Sequence, residues 1–204
     1  MNPRTASVER KSKETEIKIE LNVDGRGEST IKTPIGLLNH MLELFAFHGL
    51  FDLNVDVQKA DTEIDIHHTN EDIGIVLGKV FKKALGEMQG IRRFGWASAP
   101  MEATLATCVI DISGRGSKKF NYPSSVPGSG IKDNEYSFEY VEHFFDGFVN
   151  HLGATINFKL QNLSDDLHTN IETVFKSFGL ALDQATQIDP RRQGEVPSTK
   201  GIID

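Results

Sequence analysis

His67-His68-Thr69-Asn70-Glu71 and His168-Thr169-Asn170-Ile171-Glu172 are two versions of one segment. A His and a Glu four residues apart lie one turn apart on the same face of a helix, so both can reach a single ion. One such spacing is ordinarily a solvated helix face; two of them direct attention upstream. There, Asn39-His40-Met41-Leu42-Glu43-Leu44-Phe45-Ala46-Phe47-His48-Gly49 and Glu142-His143-Phe144-Phe145-Asp146-Gly147-Phe148-Val149-Asn150-His151-Leu152-Gly153 each place two His eight apart on a helically periodic apolar run. His40, His48, His67 and Glu71 therefore recur as His143, His151, His168 and Glu172, at offsets of 103, 103, 101 and 101 residues. Unusual residues recurring in order define an internal duplication.

The surrounding pattern repeats as well. Residues 51–57 and 154–160 alternate or run apolar like strands after the first helix of each half. Residues 15–24 alternate polar and apolar and end at Asp24-Gly25, so they are expected to form a hairpin with residues 27–32. In the second half residues 104–112 are expected to pair with 118–122 across the turn Ser113-Gly114-Arg115-Gly116. The order strand, strand, helix, strand, helix occurs twice, which implies an α+β fold of two tandem repeats with helices packed on one face of each sheet. We assign residues 1–88 to the first half-repeat, 89–188 to the second and 189–204 to a polar tail, within one compact unit; residues 86–100 read as the link between the halves.

Composition narrows the function. Among 204 residues, 38% hydrophobic and 25% charged are ordinary for a globular chain, and no apolar run approaches the roughly 18 residues of a membrane span. The start lacks the apolar core of a signal peptide, which points to the cytoplasm. A net charge of −7 argues against a general nucleic-acid surface. With Cys108 the only cysteine, a metal has to rest on imidazole and carboxylate ligands, a mixture suited to Mn, Fe or Zn. His68, beside His67, points about a quarter of the way round the helix and could serve a different ion, across a subunit boundary. His48 and His151 rank lower as ligands, each ending a helix before or near a Gly, where an imidazole can interact with the helix C-terminus.

Five segments in order now carry a resemblance. Arg10-Lys11-Ser12-Lys13-Glu14-Thr15, Asp65-Ile66-His67-His68-Thr69-Asn70-Glu71-Asp72-Ile73-Gly74, Gly90-Ile91-Arg92-Arg93-Phe94-Gly95, Asp111-Ile112-Ser113-Gly114-Arg115 and Pro197-Ser198-Thr199-Lys200-Gly201 resemble signature segments of imidazoleglycerol-phosphate dehydratases. The resemblance spans nearly the whole chain. It implies a ribosomal protein S5 domain 2-like fold and dehydration of imidazoleglycerol phosphate to imidazole acetol phosphate in L-histidine biosynthesis, with the substrate ring held as imidazolate between two Mn2+ ions. By the same resemblance His40, His67, His68, Glu71, His143, His168 and Glu172 are the metal ligands, and His40, His67, Glu71 and His168 belong to the catalytic set. Glu14 is the acid/base candidate beside the reacting carbon and also contacts substrate. The phosphate is expected at Arg93, Arg115, Lys176, Ser198 and Lys200, with His48 nearby and the tail folded over the site; Arg offers phosphate a fork and Lys a point charge. Homo-oligomers are implied too, trimers assembling into an octahedral shell.

The chain departs from the family pattern at several places. Thr169 stands where a second paired His is usual, and a neutral hydroxyl is a poor ligand for these ions. Asp165 or Asp166 is the nearest carboxylate that could compensate. Leu44 replaces a Gln near the phosphate, Glu102-Ala103-Thr104 stands in place of Asp-Glu-Ala, and Asn39 replaces a frequent Asp. These changes leave two further readings beside the dehydratase: a dehydratase of another polyol phosphate, and a metal- and phosphate-binding relative without turnover.

Overall fold

The structure, a computed structural model, describes residues 3–122 and 136–203. Met1, Asn2 and Asp204 of the assigned half-repeat and tail lie outside the described residues. The first half runs β1 (Thr5–Lys11), β2 (Glu16–Asn22), β3 (Ser29–Lys32), α1 (Gly36–Gly49), β4 (Asp52–Lys59) and α2 (Ile66–Leu85). The second repeats it as β5 (Phe94–Met101), β6 (Thr104–Asp111), β7 (Ser117–Asn121), α3 (Phe138–Leu152), β8 (Thr155–Gln161) and α4 (Leu167–Thr186), before a short 3-10 turn at Pro190–Arg192. Among the described residues the sheets have the orders β1-β2-β4-β3 and β5-β6-β8-β7, the same topology twice. The α+β class and the duplication hold, with one more strand per half than the sequence pattern indicates.

Both expected hairpins are corrected. β3 lies parallel to β4, with Ile31 opposite Val55, and β7 lies parallel to β8, with Phe120 opposite Phe158. The physical reason is that both edges of the central strand are taken: β2 is flanked by β1 and β4, and β6 by β5 and β8. The hairpins are instead β1–β2 and β5–β6, the latter turning at Glu102 in the left-handed region (φ 52°). The stretch 86–100 is likewise more than a link, because most of β5 falls within it.

Each sheet turns an apolar face inward, and the four helices fill the space between. β2 buries Ile17, Ile19 and Leu21 on one side, and β8 buries Ile156, Phe158 and Leu160. Phenylalanines from all four helices meet there: Phe45 of α1 stacks on Phe178 of α4 at 4.7 Å, and Phe81 of α2 meets Phe148 of α3 at 6.0 Å. The helices pair across the halves, α2 with α3 and α1 with α4. A Cβ at Gly74 would lie 2.2 Å from the Phe144 carbonyl oxygen, and one at Gly78 2.5 Å from that of Phe148. A step of four on one helix matches a step of four on the other, so α2 and α3 run parallel at backbone contact. Gly179 likewise sits against Phe45 and Gly49, while Glu172 lies against His40, so α4 runs parallel to α1.

Candidate metal centre

This parallel, cross-half pairing decides which histidines meet. α2 and α4 begin just before their His pairs because Asp65 and Asp166 cap them: the Asp65 carboxylate accepts from the His67 N–H at 3.0 Å, and Asp166 from those of His168 (3.1 Å) and Thr169 (3.3 Å). A cap followed immediately by imidazoles puts the His side chains on the exposed first turn. The partner helix then delivers its own His from the same end.

One cluster forms between α1 and α4. His40 Nε2 and His168 Nε2 lie 3.3 and 3.1 Å from Glu172 Oε2, with the two rings stacked 5.3 Å apart. These three residues offer ligand atoms all within 4.8 Å of one another. The other carboxylate oxygen of Glu172 receives Lys176 Nζ at 2.5 Å. Burial opposes ionisation of Glu172, but the Lys176 ammonium and the His40 and His168 hydrogen bonds outweigh it and hold the carboxyl below the usual range. His48 faces the same corner: burial first, then the charge of Lys176, lowers its pKa.

A second grouping, between α2 and α3, holds the residues that the repeat makes equivalent to the first, in a looser arrangement. His67 Nε2 lies 3.5 Å from Glu71 Oε2, and its ring centroid lies 4.1 Å from that of His143. His143 Nδ1 is buried with no hydrogen-bond partner among the described residues. An orphaned imidazole nitrogen beside another His and a carboxylate fits a divalent ion, as does the His-His-Glu set between α1 and α4. His67 and Glu71 thus join His143, and His168 and Glu172 join His40; the sequence predicts the residues but not this exchange between halves.

A third group lies on the outer side of α2. Glu14, Asp61 and His68 bring ligand atoms within 4.8 Å of one another, and Asp61 Oδ2 is 2.7 Å from His68 Nδ1. That hydrogen bond, foremost, raises the His68 pKa against the effect of desolvation. Glu14 reaches this point because its turn is tied down: Arg10 (2.7 Å) and the Thr15 hydroxyl (2.5 Å) both donate to the buried carboxylate of Asp72 on α2. Asp61 escapes a sequence reading, since it stands in the loop before α2 outside any periodic run.

The expected phosphate residues are dispersed. Lys176 and His48 join the α1–α4 cluster. Arg93 (φ 73°) gives its fork to Asp111 at 2.6 and 3.1 Å and a third N–H to the Pro197 carbonyl at 3.0 Å, which holds the tail against the start of β5. Ser198 Oγ accepts from the Lys200 N–H, while Lys200 and Arg115 have exposed side chains. The Arg93 N–H binds the carbonyl of Ala185, thirteen residues beyond Glu172 on α4 and so about 20 Å along the helix. Within one chain, Arg93 and Ser198 are remote from the α1–α4 cluster.

Three sequence departures now have an account. The Thr169 side chain is turned away: its hydroxyl donates to Asp166 at 2.8 Å and the residue is 4% exposed. Asp166 is therefore committed to capping, its carboxyl lowered chiefly by that hydroxyl, and does not replace the missing imidazole. Asn39 accepts from the Thr33 N–H and donates to the Thr33 carbonyl, two bonds an Asp carboxylate could not both make. Leu44 simply packs against the core.

Residues 33–182, which carry both clusters, match the family model of imidazoleglycerol-phosphate dehydratase. The chain belongs to this family. It is 50% identical over 200 residues to the imidazoleglycerol-phosphate dehydratase of Geobacter metallireducens, covering 98% of this chain and 99% of that one. The Geobacter sulfurreducens enzyme of the same name gives the same identity and coverage. Among solved structures, the dehydratase from Staphylococcus aureus superposes with a TM-score of 0.77 at 34% identity, over 91% of this chain and 99% of that one. The Pyrococcus furiosus dehydratase gives 0.75 at 33%, over 96% and 99%. Family membership so established extends across both halves.

Proposed function

We propose that the chain dehydrates imidazoleglycerol phosphate to imidazole acetol phosphate in histidine biosynthesis, using two Mn2+ ions. The observation that carries this reading is the pair of duplicated His-His-Glu clusters. His40, His168 and Glu172 would hold one ion and His67, His143 and Glu71 the other, with His68 completing a shell from outside. When bound, the ions act as Lewis acids toward the substrate imidazole. The chain's own groups do the rest. Glu14, exposed at the tip of its turn, takes the proton from carbon as hydroxide leaves the neighbouring carbon, so that one water is lost and the resulting enol becomes the ketone. Lys176 and the electrically neutral His48 present donors to a phosphate beside the α1–α4 cluster.

The distance of about 20 Å between Glu172 and the Arg93–Ser198 corner is too long for one small molecule. This supports a site completed by a second copy of the chain and hence a homo-oligomer, for which trimers joined into an octahedral shell are the arrangement we propose. Among the described residues no helix is long and apolar enough to cross a membrane, in keeping with the cytoplasmic location we propose. Because Thr169 is turned into its own cap, one ion would be held by fewer imidazoles than the other and would bind more weakly.

Mn2+ counting and a dehydration assay on the same sample of the native chain and of Thr169→His test this. Two ions of unequal affinity with turnover are expected, and Thr169→His should tighten the weaker ion. A folded, Mn-loaded assembly without turnover on this substrate would refute the dehydratase reading.

A further inference from the structure

We infer that Asp61 is a positioning residue of the metal centre, which fixes the His68 ring so that Nε2 is its ligand atom; this rests on the reading of His68 as a ligand. Asp61 Oδ2 lies 2.7 Å from His68 Nδ1, and Oδ1 accepts from the Thr69 hydroxyl at 3.3 Å, so the carboxylate is held from two consecutive residues of α2. Its side chain is 11% exposed whereas that of His68 is 45% exposed. An inner, acceptor-only group therefore grips an outer ring by one nitrogen. A carboxylate can bind Nδ1 only if Nδ1 carries the proton, and a neutral ring so protonated keeps its lone pair on Nε2. Carboxylate–imidazole pairs of this kind set the tautomer and orientation of metal-bound histidines.

The other half of the molecule supplies a comparison. There, by the offset of 101 that aligns His68 with Thr169 and Thr69 with Asn170, Asn162 stands at the position of Asp61, and Asn170 pairs instead with the backbone N–H and carbonyl of Ser164. The position of His68 is occupied by Thr169. Where the imidazole is missing, Asn162 offers no carboxylate in place of Asp61 and the Thr169 hydroxyl turns to the Asp166 cap, the pattern expected if the Asp61 carboxylate serves the ring.

The experiment measures Mn2+ affinity of the full-length protein by the electron paramagnetic resonance signal of the free ion, for the native chain, Asp61→Ala, Asp61→Asn, His68→Ala and the double variant Asp61→Ala/His68→Ala, with melting temperature recorded for each. Asp61→Ala should weaken the affected ion by about 10- to 100-fold. Asp61→Asn, whose amide oxygen still accepts from Nδ1–H, should recover most of that loss. The double variant should bind no more weakly than His68→Ala alone, because Asp61 acts through the ring. Unchanged affinity in Asp61→Ala with a weakened His68→Ala would overturn the positioning role alone. Full additivity in the double variant would overturn it as well, making Asp61 a ligand or a structural group in its own right. Unchanged affinity in His68→Ala would remove His68 from the ligand set and the proposal with it.

Discussion

Gly74→Ala separates two physical effects by the sign of the result. In an exposed helix this substitution stabilises by about 1 kcal/mol, since Ala loses less backbone freedom. Here the new methyl would lie 2.2 Å from the Phe144 carbonyl oxygen and 3.0 Å from its carbon, both backbone atoms that no rotamer change can move aside. Relief requires α2 and α3 to part by about 1 Å, and overpacking of that order costs about 1–3 kcal/mol or more. We expect a net loss of about 2 kcal/mol, a fall of about 4–8 °C in melting temperature for a chain of this length. Gly36→Ala is the control, because nothing lies within 4 Å of a Cβ there and its backbone is ordinary; it should be neutral or stabilising. The same displacement parts His67 from His143, one on each helix, so Mn2+ affinity should fall along with stability. Calorimetry at fixed protein concentration with excess chelator reads the first effect and metal titration the second. If Gly74→Ala melted at or above the native temperature, the parallel contact of α2 and α3 that brings these histidines together would be wrong.

Two further outcomes follow from the carboxylates of Asp72, which is buried, and Asp183, which is partly buried. Asp72→Ala leaves Arg10 and Thr15 without their shared acceptor and should cost about 2–4 kcal/mol, less than a fully buried pair because Arg10 is 30% exposed. It should also lower kcat by loosening the turn that carries Glu14; a variant with native stability and turnover would refute that role. Asp183 has its carboxyl pKa raised by burial, which Gln187, Arg92 and Arg4 only partly offset. Its folded-state value thus lies above the unfolded one, so the carboxyl costs nothing below pH 3.8 and destabilises as pH rises through the folded value. Asp183→Asn should therefore raise the melting temperature at pH 7, with the gain shrinking toward pH 3.5; a gain that grows on acidification would contradict the assignment.

The clustered histidines were legible because imidazoles at repeated spacings stand out against any background, and α1 to α4 because their apolar residues are large and helically spaced. The edge strands β1 and β5 were not, for a reason visible in the packing. β5 turns Gly95, Ala97 and Ala99 inward and Phe94 and Trp96 outward, the reverse of the usual pattern. Its inner residues are small because α4 lies directly on it: a Cβ at Gly95 would lie 1.9 Å from the Ala181 carbonyl oxygen. Tight helix–sheet contact erases the apolar signal that normally marks a strand. β1 pairs with β2 along its whole length yet reads Thr-Ala-Ser-Val-Glu-Arg-Lys, since only Ala6 and Val8 pack against the core from this edge.

Which histidines meet could not be read from spacing at all. Spacing placed His67 with Glu71 and His168 with Glu172, both local facts of one helix. The third member of each cluster comes from the opposite half, α3 serving α2 and α1 serving α4, and that follows from how two duplicated units close a shared core. Neither half can bury its helices alone, since Phe45 needs Phe178 and Phe81 needs Phe148. Exchange of partners between halves is thus a packing requirement first, and the meeting of histidines from opposite halves is its chemical consequence. Duplication then permits asymmetry: where one half has His68 the other has Thr169, whose hydroxyl donates to the Asp166 cap at the start of α4. The His168–Glu172–His40 cluster forms without a ring at Thr169, because none of the contacts that position it involves that residue.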